Sequence, residues 1–131
     1  MIFASDYDGT LFKDVNKGID AQDLAMIREF RRRGNLFGLV SGRPVAVLKQ
    51  EVMRHNIEVD FLVGSNGGSA IDHNDVELFT NSIEKDSARL VYEFFQEYKP
   101  ISYIIHDKSS AYQNTDGQSV WEDAPMEAVD V

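Results

Sequence analysis

Three short apolar runs set the frame for this chain: Ile2-Phe3-Ala4, Leu36-Phe37-Gly38-Leu39-Val40 and Phe61-Leu62-Val63. Each ends in polar or glycine residues, as a buried parallel strand does where it leaves a sheet. The segments between them have helical period. Asp20 can cap a first helix, with Asp23 three residues on, Leu24, Ile27 and Phe30 as its apolar stripe and Gly34 placed to end it. Pro44 suits the first position of a second helix, which Val45, Leu48 and Val52 continue. This alternation of strand and helix predicts an α/β fold with a parallel sheet and helical crossovers.

The pattern changes after Gly68. Ala70-Ile71 and Val76-Glu77-Leu78-Phe79 flank Asp72-His73-Asn74-Asp75, which reads as a hairpin. A helix is predicted over residues 83–98, with Leu90, Val91, Phe94 and Tyr98 on one side. A second hairpin pairs residues 101–106 with 111–113 around Asp107-Lys108-Ser109-Ser110. Residues 114–131 have no clear period and receive no assignment. The expected division is a core over residues 1–80 and an α+β appendage over 81–131.

Composition narrows the function classes. At 131 residues with 43% apolar and 27% charged, the chain can build a core, so disorder is not expected. A formal charge of −9 argues against non-specific nucleic-acid binding, which needs a basic face. The run Arg31-Arg32-Arg33 falls in the last turn of the first helix, where cations complement the dipole. With no cysteine, disulfides and thiolate-bound zinc are excluded, as is thiol catalysis. Met1-Ile2-Phe3-Ala4 runs straight into Ser5-Asp6 without room for a signal core, and no apolar run approaches the roughly 20 residues of a membrane span. A cytoplasmic protein without membrane or nucleic-acid partners is the expectation. His55, His73 and His106 are widely separated, without metal-ligand spacing, and Trp121, Tyr92, Phe94, Phe95 and Tyr98 are read as packing residues.

Asp6-Tyr7-Asp8-Gly9-Thr10-Leu11 follows the first strand directly. In an extended chain end, residues i and i+2 point the same way, so Asp6 and Asp8 converge at the carboxyl edge of the sheet, where open α/β folds place ligands. One such carboxylate can attack phosphorus while its neighbour protonates the leaving oxygen and then activates water. Mg²⁺ relieves the repulsion between carboxylates and phosphate and needs few protein oxygens. Gly9 allows backbone N–H groups to approach phosphate. An acidic turn is the plain alternative. An EF-hand calcium loop is excluded, because Leu11 stands where that loop needs Gly and Lys17 where it needs a bidentate Glu.

Ser41-Gly42-Arg43 follows the second strand and precedes a helix, where a hydroxyl, amides and the helix dipole can hold phosphate or Ser41 can simply cap the helix. Arg43 suits either substrate binding or bridging between carboxylates. Asn66-Gly67-Gly68 follows the third strand, and Asn66 suits either substrate contact or a plain turn. Three strand ends thus present phosphate-compatible groups on one edge.

This set, Asp6-Tyr7-Asp8-Gly9-Thr10-Leu11 with Ser41-Gly42-Arg43 and Asn66-Gly67-Gly68, resembles the haloacid dehalogenase-like hydrolases, and within them the Cof-type sugar-phosphate phosphatases. The resemblance implies a Rossmann-like core followed by the start of an α+β cap. It further implies an aspartyl-phosphate on Asp6, Asp8 as general acid/base and Ser41 binding the transferring phosphoryl group, with Gly9, Thr10, Gly42, Arg43 and Asn66 around phosphate and substrate. Mg²⁺ would be held by the Asp6 carboxylate and the Asp8 backbone carbonyl. The family pattern adds a downstream lysine and an acidic metal motif after the cap. Lys99 and Lys108 lie within the apparent cap instead, and Glu122-Asp123 follows no recognisable core strand. The chain thus reads as an N-terminal portion of the pattern. The expected activity is Mg²⁺-dependent hydrolysis of small phosphorylated metabolites. The alternatives are a catalytically incomplete, phosphate- and Mg²⁺-binding or self-associating protein of the same fold, and a receiver-like phosphoacceptor. A receiver places its acceptor Asp at the end of the third strand, where Val63-Gly64-Ser65-Asn66 has none and Asp60 lies at the wrong end. An open sheet edge favours a homo-oligomer.

Overall fold

The computed structural model describes residues 1–13, 16–98, 104–106, 111–113 and 126–128. The expectations for Trp121, Lys99, Lys108, Glu122-Asp123, residues 101–103 and the Asp107-Lys108-Ser109-Ser110 turn lie outside these residues. The chain divides into two compact units, Met1–Thr80 and Asn81–Val131.

In the first unit, β1 (Ile2–Asp6), β2 (Leu36–Val40) and β3 (Phe61–Gly64) are parallel neighbours. They are joined through α1 (Ala21–Arg32) and α2 (Val45–His55). β1 extends two residues beyond its apolar run because Ser5 and Asp6 stay paired with β2, Ser5 against Leu39 and Asp6 against Val40. The hairpin β4 (Ser69–Asp72) and β5 (Glu77–Thr80) adds antiparallel to β3, giving the order β1-β2-β3-β4-β5 in a single sheet. The change of pattern after Gly68 therefore marks a change of strand direction within the core sheet.

Local signals account for the helix ends. The Asp20 carboxylate caps α1 by accepting from the Gln22 N–H, at 2.8 Å. Gly34, at φ +79°, closes its far end and donates to the Arg31 carbonyl. Pro44 is extended (φ −57°, ψ 148°) and stands one residue before α2, so the helix begins at Val45. Arg31, Arg32 and Arg33 all pair with carboxylates: Arg31 with Glu58 and Asp60, the other two with Glu29.

The core collects Phe37 and Leu39 of β2, Leu62 of β3, Ile27 of α1 and Leu48 of α2, with Tyr7 and Leu11 from the chain after β1. Tyr7, Phe37, Leu39 and Leu48 are fully buried, and burial of each side chain of this size is worth about 1.5–3 kcal/mol. At the start of the chain Met1, Ile2 and Phe3 are exposed, although the Phe3 ring meets those of Phe30 and Phe37.

The second unit contains α3 (Lys85–Tyr98) and a three-stranded sheet, β6 (Ile104–His106), β7 (Ala111–Gln113) and β8 (Met126–Ala128). β6 and β7 form the expected antiparallel pair, while β8, parallel to β7, lies where no strand was assigned. The stripe expected to pack α3 is exposed at Leu90, Val91, Phe94 and Tyr98, although the Phe94 and Tyr98 rings stack on each other.

Candidate active site

The parallel register places the three chemistry-bearing loops side by side. Asp6 is level with Val40, and Val40 with Val63, so Asp8, Ser41 and Ser65-Asn66 all follow at the carboxyl ends of adjacent strands. Asp6 and Asp8 are exposed while Tyr7 between them is fully buried, as alternation along an extended chain requires. The Thr10 hydroxyl donates to Asp6 Oδ2 at 3.2 Å, steadying one oxygen of the pair.

Gly9 adopts φ +75°, which allows the loop to double back so that the Phe12 N–H reaches the Tyr7 carbonyl at 2.9 Å. The Gly9 N–H donates to the Phe12 carbonyl at 2.8 Å, so its own amide serves the turn rather than an incoming phosphate, and the contribution of Gly9 is conformational.

Ser41 is buried, and its Oγ accepts from the Arg43 N–H at 3.2 Å. It therefore closes a tight turn before the helix instead of capping α2. The loop after β3 docks onto this turn through its backbone: the Ser65 N–H donates to the Arg43 carbonyl and the Asn66 N–H to the Ser41 carbonyl. Asn66, at φ +54°, is exposed with its side chain against Gly42, where an added Cβ would stand 3.2 Å from Asn66 Oδ1.

Arg43 joins the second loop to the first. Its Nε and Nη2 donate to the two oxygens of Asp8 at 2.8 and 2.7 Å, a bidentate pair. Its guanidinium lies 5.3 Å from the centre of the Tyr7 ring, and Nη1 is 3.7 Å from Glu51. Burial alone would lower the Arg43 pKa, but the Asp8 hydrogen bonds and charge, with Glu51 behind them, outweigh it and raise the pKa. Of the two roles open to Arg43 in the sequence, the structure shows the bridge between carboxylates, Asp8 on one side and Glu51 on the other. The Tyr7 hydroxyl donates to Glu51 at 2.5 Å, and burial followed by that bond pushes the phenol far above its ordinary value.

Glu51 is the residue that motif reading misses, since a glutamate on a helix ordinarily faces solvent. Its position held a signal: it stands three residues after Leu48 and beside Val52 on the buried stripe of α2.

Other candidates lie elsewhere. Asp60 precedes β3, paired with both Arg31 Nε and Nη2 and accepting from the Phe37 N–H, so it is remote from the carboxyl edge. His55 rests on Phe12 and near Glu51, and His73 contacts Asn74. A groove of about 300 Å³ beside Thr10 is lined mainly by Phe3, Met26, Ile27 and Phe37, a surface too apolar for phosphate.

Among the described residues, no group of three or more His, Asp or Glu side chains converges to hold a metal. The exposed Asp6 carboxylate and the adjoining Asp8 offer only part of a shell. Mg²⁺ retains waters and takes phosphate oxygens alongside one or two carboxylates, so the donor set fits a site shared with substrate.

The first unit is thus an α/β sheet with two exposed carboxylates after its first strand and polar loops after the two neighbouring parallel strands. The model of the haloacid dehalogenase-like hydrolases matches residues 3–129, and the chain belongs to that family. A search of curated proteins returned no match. Among solved structures, the chain is similar to a haloacid dehalogenase-like hydrolase from B. subtilis, at 18% identity and a TM-score of 0.77, covering 88% of this chain and 40% of that one. It is also similar to a HAD/COF-like hydrolase from Plasmodium vivax, at 24% identity and 0.73, covering 88% and 43%. A HAD subclass IIB sugar phosphatase matches at 18% identity and 0.71, covering 89% and 44%. The chain therefore spans less than half the length of these structures. Among the described residues no helix is long and apolar enough to cross a membrane.

Proposed function

We propose that this chain carries the nucleophile-bearing half of a Mg²⁺-dependent phosphatase site for small phosphorylated metabolites, with sugar phosphates as the substrate class. The observation that carries the reading is the side-by-side placement of Asp6, Asp8 and Ser41 at the ends of paired parallel strands. In the first half-reaction an Asp6 oxygen bonds to phosphorus, the bond to the leaving oxygen breaks, and protonated Asp8 delivers its proton to that oxygen. In the second, the Asp8 carboxylate takes a proton from water, the resulting hydroxide attacks phosphorus, and the Asp6 carboxylate is released. Mg²⁺, when bound by the Asp6 carboxylate and the Asp8 backbone carbonyl, supplies charge neutralisation for the phosphoryl oxygens. Ser41 holds the transferring group through its hydroxyl, with Asn66 at the rim.

The bidentate Arg43–Asp8 pair is the resting arrangement in this scheme. Asp8 gives up one of its two bonds to Arg43 before it handles a proton, and the freed guanidinium N–H faces the arriving phosphate. A second reading, a phosphate- and Mg²⁺-binding protein without turnover, is favoured by the two hydrogen bonds from Arg43 that occupy both oxygens of the Asp8 carboxylate. Hydrolysis of an aryl phosphate with and without Mg²⁺ separates the two. Turnover that requires Mg²⁺ and falls at least about a thousandfold in Asp6→Asn supports the phosphatase. Phosphate binding without turnover supports the second reading.

A further inference from the structure

The most buried carboxylate among the described residues belongs to none of the motifs. Glu51 is 5% exposed on α2, and its partners come from two directions. Arg54 Nη1 and His55 Nε2, each at 3.4 Å, lie on the same helix. Tyr7 and Arg43 come instead from the two loops that build the candidate site.

We propose that Glu51 is a positioning residue: it holds Tyr7 and Arg43 so that Arg43 presents its guanidinium to Asp8 in a fixed plane. Tyr7 stands between Asp6 and Asp8 in the chain, so its bond to Glu51 pins the carboxylate-bearing loop from beneath. Arg43 lies across the Tyr7 ring, with Nη1 toward Glu51 and Nε and Nη2 on Asp8. A guanidinium is planar, and restraining one edge orients the other. Asp8–Arg43–Glu51 thus forms a carboxylate–guanidinium–carboxylate line from the mouth of the site into the core. Its inner end is fixed by the Tyr7 phenol, which remains a donor because burial and Glu51 keep it protonated. The proposal rests on the phosphatase reading only for the proton work assigned to Asp8. The arrangement of Arg43 stands without it.

The test uses the full chain as wild type, Glu51→Gln and Tyr7→Phe, with two readouts. The first is solvent exchange of the Arg43 Nε–H in ¹H–¹⁵N spectra, which reports how firmly the guanidinium is held and needs no turnover. In Glu51→Gln it accelerates about tenfold, as expected for loss of a charged partner. In Tyr7→Phe, which keeps the ring and the Glu51 charge but frees the carboxylate, it accelerates about threefold. The second readout is aryl phosphate hydrolysis, in which Glu51→Gln lowers kcat about tenfold without raising KM, because the neighbourhood of Arg43 loses a competing negative charge. An unchanged Arg43 exchange rate in Glu51→Gln overturns the proposal. Should that variant fail to fold, an unchanged rate in Tyr7→Phe overturns it equally. A wild-type chain with no turnover but with the predicted exchange rates would sink the phosphatase reading and leave the positioning role of Glu51 standing.

Discussion

Tyr7 stands between the two motif carboxylates with its side chain in the core, and its environment makes it a measurable probe. Burial and Glu51 raise its pKa well above the ordinary phenol value of 10.0. The folded chain therefore retains a proton that the unfolded chain loses above about pH 10, so the Tyr7 contribution to stability is complete below that pH and declines as pH rises further. Denaturant midpoints measured at pH 8 and pH 11 should show this alkaline loss in the wild type and a shallower one in Tyr7→Phe. Arg43 offers a second residue-scale prediction. Replacement by Lys preserves the charge but not the two-pronged contact with Asp8, so Arg43→Lys should reduce kcat for aryl phosphate by about tenfold or more, measured by steady-state kinetics. The positions of Asp6, Asp8 and Ser41 at strand ends were readable because they follow apolar runs directly. Glu51 was not, because its role depends on burial beneath a loop more than forty residues earlier in the chain.

At the scale of elements, the β3 loop approaches the β2 loop closely because Gly64 has no side chain. A Cβ there would lie 2.6 Å from the Val45 nitrogen and 2.7 Å from the Arg43 carbonyl oxygen, both backbone atoms that cannot swing aside. Gly64→Ala should cost about 1–3 kcal/mol in urea unfolding and weaken phosphate binding by displacing the Ser41-Gly42-Arg43 turn. The other end of the same strand is held by Asp60, which accepts from Arg31 and from the Phe37 N–H. The Arg31 hydrogen bond, aided by that amide against an opposing burial effect, keeps its pKa below the ordinary 3.8. The sign is opposite to that of Tyr7: the Asp60 contribution is present above about pH 4 and is lost as pH falls through the folded-state value. Asp60→Ala should destabilise by about 1–3 kcal/mol at pH 7 and by less at pH 3, read from denaturant midpoints. Strand and helix positions followed from periodicity, whereas the start of α2 slipped by one residue because Pro44 took an extended ψ. The exposed stripe of α3 shows where periodicity alone stops: it marks an apolar face without saying what lies against it.

At the scale of the molecule, β1 pairs with β2 and, among the described residues of the first unit, with no other strand. Such an edge pairs readily with another strand, so sedimentation should show association that increases with concentration and is suppressed in Ile2→Lys. Family membership, the parallel core and the antiparallel hairpin together explain why the site loops meet. The second unit contributes α3 and a small sheet whose last strand, β8, was illegible because its three residues carry no period of their own.

The central claim is that Asp6 accepts the phosphoryl group, and acid-quenched peptide mass spectrometry tests it most directly. The chain is mixed with an aryl phosphate and Mg²⁺, quenched and digested, in wild type, Asp6→Asn and Asp8→Asn. The account predicts a phosphoryl adduct on the Asp6 peptide that accumulates in Asp8→Asn, where water is no longer activated, and is absent in Asp6→Asn. Hydrolysis that persists in Asp6→Asn, or an adduct confined to another residue, would contradict it.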